Sequence, residues 1–171
     1  FKRCCKILLY VGIVLINNGI ARITDVDSKS TSVMNVFVGL LSLIINIITI
    51  IHGDFHTMDD IGDFYSAATG LLFGFTYLFV AANGIFNLDN RLYGWYSLFV
   101  AINTIPAAWI EYSINGDWKM VVIWILWGIL WLTGFIESVL KKELKFVPYL
   151  AVFEGIVTAW IPGFLILTNL W

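Results

Sequence analysis

Six apolar runs separated by short polar breaks fill the chain, at about 7–23, 33–51, 64–86, 93–111, 118–140 and 147–170. Each comes close to the roughly 20 residues a helix needs to cross a bilayer. In lipid every backbone N–H and C=O must be bonded within its own segment, which favours helices over an open sheet. The runs therefore predict an all-α polytopic membrane protein, a single six-helix transmembrane domain over 1–171 with no room for a separate soluble domain.

The runs repeat one pattern three times. An apolar run ends in Asn-Gly or Thr-Gly, a short polar loop follows, and a second run carries Phe-Val or Phe-Glu before Gly or Ala. The first copy runs through Asn18-Gly19 to Phe37-Val38-Gly39, the second through Asn83-Gly84 to Phe99-Val100-Ala101, and the third through Thr133-Gly134 to Phe153-Glu154-Gly155. This predicts a two-helix hairpin repeated three times around a central pore, with hairpins at about 7–51, 64–111 and 118–170.

Composition agrees with lipid as the solvent. The chain is 60% hydrophobic and only 13% charged, against about 25% charged in soluble domains. Net charge is -2, so no nucleic-acid partner is implied. Cys4 and Cys5 are adjacent and read as small packing residues near the membrane surface. The start, Phe1-Lys2-Arg3-Cys4-Cys5-Lys6 and an apolar run, has no small-residue cleavage site after it and reads as a retained first helix.

Loops after helices one, three and five carry Arg22, Lys29, Arg91, Lys141, Lys142 and Lys145, whereas loops after helices two and four carry only Lys119. Basic residues collect on the cytoplasmic side. The odd loops are therefore expected to be cytoplasmic and both termini external, against the contrary pull of Lys2, Arg3 and Lys6. Trp95, Tyr96, Trp118, Tyr149 and Trp171 sit at run ends, where amphipathic rings anchor at the interface. Asp117 suits an N-cap for the fifth helix and Pro148 the first turn of the sixth. Pro106 and Pro162 fall inside the fourth and sixth runs, where they are expected to kink the helices.

Candidate chemistry lies on the helix faces. Trp124, Trp127 and Trp131 fall at i, i+3 and i+7 and stack on one face, extended by Met120 and Gly134. Two readings stand for this column: a bulky bundle core, or a flat-walled slot with indole N–H donors for a small planar solute. Aligning the copies on the Asn/Thr-Gly pair matches Leu15 with Val80 and Leu130, Gly12 with Tyr77 and Trp127, and Leu8 with Phe73 and Ile123. That gives inward stripes of Leu8, Val11, Leu15 and Asn18 on the first helix and Thr69, Phe73, Tyr77, Val80 and Gly84 on the third.

Glu154 stands where the other copies have Val38 and Val100. A carboxylate inside a span is a functional-site hypothesis, set against a structural carboxylate bonded to Trp or Tyr donors. Glu137 reads as interfacial and water-facing. Asn46 and Asn103 read as buried amides that join helices. Gly70 and Gly74, with Ala67 nearby, permit close helix contact and subunit packing. No Walker loop, nucleotide fingerprint, zinc spacing or nucleophile elbow occurs, so neither cofactor nor metal is expected. A rigid, aromatic-lined path without an energy source suits passive passage of a neutral solute, since an ion would face a desolvation cost of several kcal/mol or more.

The stretches LYVGIVLI at 9–16, ATGLLFGFTY at 68–77, WYSLFVAINTIPAA at 95–108 and EGIVTAWIP at 154–162 resemble the urea channel and short-chain amide channel family (UreI/AmiS). The resemblance covers nearly the whole chain from about Ile7. It implies a six-helix protomer in a hexameric ring with one pore per protomer, in a bacterial inner or plasma membrane, passing urea and water to a cytoplasmic urease. By position, it puts the pore lining on Leu8, Val11, Leu15, Phe73, Tyr77, Trp124, Trp127, Leu130, Trp131 and Glu154.

The acid-gated members of that family have long, histidine-rich external loops. Here the first external loop, about 52–63, holds His52 and His56 beside Asp54, Asp59, Asp60 and Asp63, and the second, about 112–117, is very short. An unperturbed histidine protonates near pH ~6.5. These six residues are the candidates for pH sensing, and acid gating is expected to be weak or absent. The alternatives to a urea channel are a short-chain amide channel and, more remotely, a small intramembrane enzyme using Glu154 as acid or base.

Overall fold

A computed structural model of the chain describes residues 7–53 and 58–171, with the backbone alone for 58–61. Cys4, Cys5, the basic stub, Asp54 and His56 lie outside the described residues, as do the side chains of Asp59 and Asp60. All regular structure among the described residues is helical: α1 (Leu8–Ile23), α2 (Ser28–His52), α3 (Met58–Phe86), α4 (Arg91–Ile110), α5 (Trp118–Ser138), α6 (Val147–Glu154) and α7 (Ile161–Leu167). A π-helical stretch, Glu111–Asn115, prolongs α4, and another, Gly155–Trp160, joins α6 to α7 into one sixth span.

Four helical stretches, Ser28–His52, Gly62–Phe86, Trp118–Ser138 and Val147–Leu167, are long and apolar enough to cross a bilayer. Helix α2 begins at Ser28 rather than 33 because the Asp27 carboxylate caps it, accepting from Ser30 N–H at 2.9 Å. That first turn is polar, so hydropathy misses it while capping finds it. Helix α5 opens as expected, with Asp117 accepting from the N–H groups of Lys119 and Met120. Pro148 lies in the first turn of α6. The prolines inside runs coincide with changes of register: Pro106 lies in α4 one turn before its π-helical end, and Pro162 opens α7 just after the second π-helical stretch. A proline removes one rung of the i→i−4 ladder and crowds the carbonyl behind it, which the wider π turn relieves.

The closest helix partnerships are α2 with α3, α4 with α5, and α1 with the α6–α7 span. They join neighbouring sequence hairpins, whereas the two helices within each hairpin meet lightly. Glycines make the close seams possible. A Cβ at Gly84 would strike Ser32 of α2, one at Gly134 would lie 2.9 Å from Ser97 Oγ of α4, and one at Gly19 would strike Pro148 and Val152 of α6. These are the glycines of the three Asn/Thr-Gly pairs, and each admits the second helix of another copy. Gly70 and Gly74 are used the same way inside the chain, against Asn46 and Ser42.

The packing is inverted relative to a water-soluble domain. Phe37, Phe99 and Phe153 face outward, with Ile44, Ile105 and Trp109 among many other exposed apolar residues. The residues next to those phenylalanines, Val38, Val100 and Glu154, are all buried. Inside lie Ser32, Asn35, Ser42, Asn46, Thr104 and Thr158. With lipid outside, small side chains and internal hydrogen bonds hold helices together, because no water-driven collapse does so. Ser42 Oγ donates across the α2–α3 seam to Gly70 O at 3.0 Å. Asn18 and Asn35 exchange amide bonds of 3.0 and 2.7 Å between α1 and α2.

Three local expectations are corrected. Asn103 is half-buried and donates to Phe99 O of its own helix, so it joins nothing; Asn46 is buried but also bonds within its helix, to Ser42. Trp95, Trp118 and Tyr149 are exposed as anchors should be, but Tyr96 turns inward and donates its hydroxyl to Leu72 O at 2.6 Å. Trp171 is tied back by an indole bond to Asp117 Oδ2 at 2.8 Å, with Lys119 Nζ 4.6 Å from its ring centroid.

Candidate functional site

The i, i+3, i+7 spacing on α5 places Trp124, Trp127 and Trp131 on one buried face, as the periodicity requires. Phe73 of α3 meets all three. Its ring centroid is 4.8 Å from Trp127, 4.9 Å from Trp131 and 6.1 Å from Trp124. The rings do not form the flat-walled slot that spacing alone suggests. Trp124 and Trp127 cross at 83° with centroids 5.2 Å apart, and Phe73 meets Trp127 at 78°. Edge-to-face contact matches the positive rim of one ring to the negative face of the next, which parallel stacking in register does not.

Two of the indole donors are already committed. Trp131 Nε1 donates to Thr76 Oγ1 at 3.1 Å, and Trp127 Nε1 donates to Thr158 Oγ1 at 2.9 Å. Thr158 in turn donates to the backbone oxygen of Glu154 at 2.6 Å. Neither threonine was nominated by the sequence; the signal available was a lone hydroxyl in an otherwise apolar run. The Trp124 indole is buried and set against the carboxyl of Glu111, at the π-helical end of α4.

A cavity of about 750 Å³ opens at the loop end of this column. Leu15, Phe73, Tyr77, Trp127, Leu130 and Trp131 line its inner part, and Asp25, Val26, Glu143 and Lys145 of the α1–α2 and α5–α6 loops line its outer part. Across its wall Arg22 grips Glu137, Nη1 to Oε2 at 3.0 Å and Nη2 to Oε1 at 2.8 Å, and Leu144 N–H adds a bond to the same carboxylate at 3.2 Å. Glu137 is thus half-buried and paired rather than simply water-facing. The partner was legible in the repeat: Arg22 follows Asn18 by the same interval as Glu137 follows Thr133.

The ten nominated lining residues all face inward. Six border the cavity, while Leu8, Val11 and Trp124 lie beyond it in the packed core with Met120 and Ile123. Glu154 is 0% exposed, and neither of its carboxylate oxygens has a protein partner. The structural reading, a carboxylate held by Trp or Tyr donors, is therefore not what the structure contains. Leaving a buried carboxylate without partners is costly, and such a group marks a place where something else supplies the hydrogen bonds. Tyr77 lies within its electrostatic reach. Of the residues nominated for pH sensing, His52 is exposed at the end of α2 and Asp63 is half-buried in α3, at the opposite end of the bundle from the cavity mouth.

Comparison with known proteins fits this geometry. The chain is 52% identical over 191 aligned positions to the acid-activated urea channel of Helicobacter pylori, covering 96% of this chain and 97% of that one. It is 35% identical to a putative amidate substrates transporter protein of Mycolicibacterium smegmatis, covering 96% of this chain and 76% of the relative. The fold superimposes on the crystal structure of the urea channel from Helicobacter pylori with a TM-score of 0.88 at 52% identity, over 98% of this chain and 99% of the other. The chain is a multi-pass helical protein of the inner membrane. Matching the AmiS/UreI family transporter model over residues 5–170, it belongs to that family.

Proposed function

We propose that the chain is a passive channel for urea and water. The path leads from the cavity along the tryptophan column and is lined by Leu8, Val11, Leu15, Phe73, Tyr77, Trp124, Trp127, Leu130, Trp131 and Glu154. The observation that carries this reading is Glu154, fully buried beside the column with both oxygens unpartnered. Urea is planar, with a carbonyl acceptor and N–H donors on both sides. A carboxylate accepts those N–H groups, and rings pinned by Thr76 and Thr158 form a rigid wall against the apolar faces of the solute. The likeness to the Helicobacter pylori urea channel supports urea as the solute.

The protomer is built as three hairpins about the path and assembles as a homo-oligomer, a hexamer with one pore per protomer. The cavity mouth is cytoplasmic and both termini are external, which directs urea toward a cytoplasmic urease. Acid gating is weak or absent. The alignment with the acid-activated relative is 191 positions long against 171 residues here, so that relative carries insertions this chain lacks.

A second reading, a short-chain amide channel, is favoured by the likeness to the amidate transporter. Reconstituted vesicles separate the two. Faster uptake of urea than of acetamide supports the first, and the reverse order supports the second. Equal urea rates at acidic and neutral pH support weak gating, and a steep acidic rise removes it.

A further inference from the structure

The first helices of the three sequence copies, α1, α3 and α5, bring Leu15, Val80 and Leu130 together around the cavity. Among the described residues no two of these helices pack closely on each other; their close partners are α2, α4 and the α6–α7 span. No helix-on-helix seam therefore fixes the spacing of their ends at the cavity mouth. Two turns further out, on the faces that carry those three residues, stand Arg22, Asn87 and Glu137. Asn87 lies just past the end of α3 at Phe86, with a left-handed φ of 52°, and brings no charge. The other two are a cation and an anion, and both line the cavity.

Arg22 and Glu137 supply the tie that packing does not. The guanidinium holds the carboxylate through two bonds, Nη1 to Oε2 at 3.0 Å and Nη2 to Oε1 at 2.8 Å. A bidentate pair fixes both the distance and the relative orientation of the two side chains, which a single point contact does not. Glu137 Oε1 also accepts from Leu144 N–H at 3.2 Å. The same carboxylate thus anchors the α5–α6 loop, whose Glu143, Leu144 and Lys145 line the cavity. The side chains are 45% exposed for Arg22 and 19% for Glu137. A pair so placed adds little to the stability of the whole fold. What it fixes is local: the gap between two helix ends, and the loop beside them.

We infer that the Arg22–Glu137 pair is a brace that determines specificity at the cavity mouth, holding α1 and α5 at a separation that admits urea and slows larger amides. This rests on the channel reading. The two residues are positioning residues: they act through the spacing of the helices that carry Leu15 and Leu130. Selection here is of a different kind from selection at Glu154. Glu154 reads the hydrogen-bonding groups of the solute, whereas the brace reads its width. The members of the pair are also unequal. Glu137 holds both α1 and the α5–α6 loop, while Arg22 holds only Glu137, so loss of the carboxylate releases everything that loss of the guanidinium releases and the loop besides.

The test uses the full-length chain in vesicles, with urea and propionamide permeability measured on the same preparations by stopped-flow light scattering. Arg22→Ala is expected to raise the propionamide-to-urea ratio about 3-fold, within what a partly exposed pair can hold in place. Urea itself is expected to rise less than propionamide, because the smaller solute already fits. Arg22→Lys keeps the charge but cannot make two parallel bonds, and its ratio is expected to fall between parent and Arg22→Ala. Glu137→Ala is expected to raise the ratio at least as far as Arg22→Ala, and adding Arg22→Ala to it should change nothing more, because the brace is already gone. An unchanged ratio in the single variants overturns the inference. So does a parallel fall of both solutes, which a merely loosened fold would give, or effects of the two substitutions that multiply. If Glu137→Ala does not yield folded protein, the rank order of parent, Arg22→Lys and Arg22→Ala decides. A parent chain that passes no urea overturns the channel reading itself, whereas a conducting parent with indifferent variants overturns only the brace.

Discussion

The two ends of the tryptophan column put the same side chain to different use. At the cavity end, Trp131 and Trp127 spend their N–H groups on Thr76 and Thr158, and Phe73 packs edge-on against both rings. Those indoles are walls. At the far end, the Trp124 indole is set against the Glu111 carboxyl at the π-helical end of α4. The contrast separates two jobs an aromatic column can do: indoles pinned to threonines inside the bundle fix the width of a passage, and an indole set against a carboxyl at the end of the next helix ties that helix in place. Glu154 lies between the two, tied through its backbone to the wall by Thr158 and free at its carboxylate.

The largest expected effect comes from removing recognition where the wall is intact. Glu154→Leu replaces the carboxyl with an apolar side chain of similar size and leaves the Thr158 bond to the backbone oxygen in place. Leaving a urea N–H unpaired in a dry passage costs about 1–3 kcal/mol, so urea permeability in vesicles should fall roughly 5- to 150-fold. Water, which needs no carboxylate to be desolvated beside an apolar ring, should fall much less. Equal losses for both would mean that Glu154 shapes the path rather than reading the solute.

A smaller effect should follow from disturbing the wall while leaving recognition alone. Thr76→Val removes the acceptor of the Trp131 N–H and leaves that buried donor unpaired, at a cost of about 1–3 kcal/mol. Thermal stability in detergent should drop accordingly. With the ring no longer pinned, discrimination between urea and a slightly larger amide such as propionamide should weaken. A variant as stable and as selective as the parent would show that the threonine bond does not set the width, and the comparison between the two ends would collapse.

How much of this was legible in the sequence depended on the kind of interaction. Helix number, the inward stripes and the burial of Glu154 follow from periodicity, because a bilayer forces apolar faces outward along the whole chain. The cyclic seams were half-legible: the glycines of the Asn/Thr-Gly pairs stood out, but not that each would admit a helix from another copy. Ring orientation was not legible, since i, i+3 and i+7 fix which face a side chain takes and leave its torsion to its neighbours, here Phe73. Threonine acceptors and the Arg22–Glu137 pair are long-range partners, and only the repeat alignment hinted at the second. Glu111 was missed because it stands at the end of a run, where a carboxylate normally reads as solvated; the π-helical turn that buries it has no simple sequence signature.

The smallest expected effect concerns the α3–α4 turn, remote from the α2–α3 end that holds His52. Asp89 accepts from Arg91 N–H at 2.9 Å, from Nε at 2.8 Å and from Nη2 at 2.6 Å. These bonds hold its carboxyl down at about 2, below its ordinary 3.8. A carboxylate depressed in the folded state adds stability that is complete above its unfolded pKa and is lost as pH falls through the folded one. The contribution of Asp89 is therefore flat above about pH 5 and disappears between roughly pH 4 and 2. The pair lies exposed at the surface, so the effect is slight and weakens with salt. Thermal unfolding across that range should show a shallower acid slope for Asp89→Asn than for the parent, and parallel curves at higher pH. An unchanged slope would assign the acid loss to other carboxylates. Since the turn is insensitive between pH 7 and 5, a change in urea flux over that interval would have to originate elsewhere.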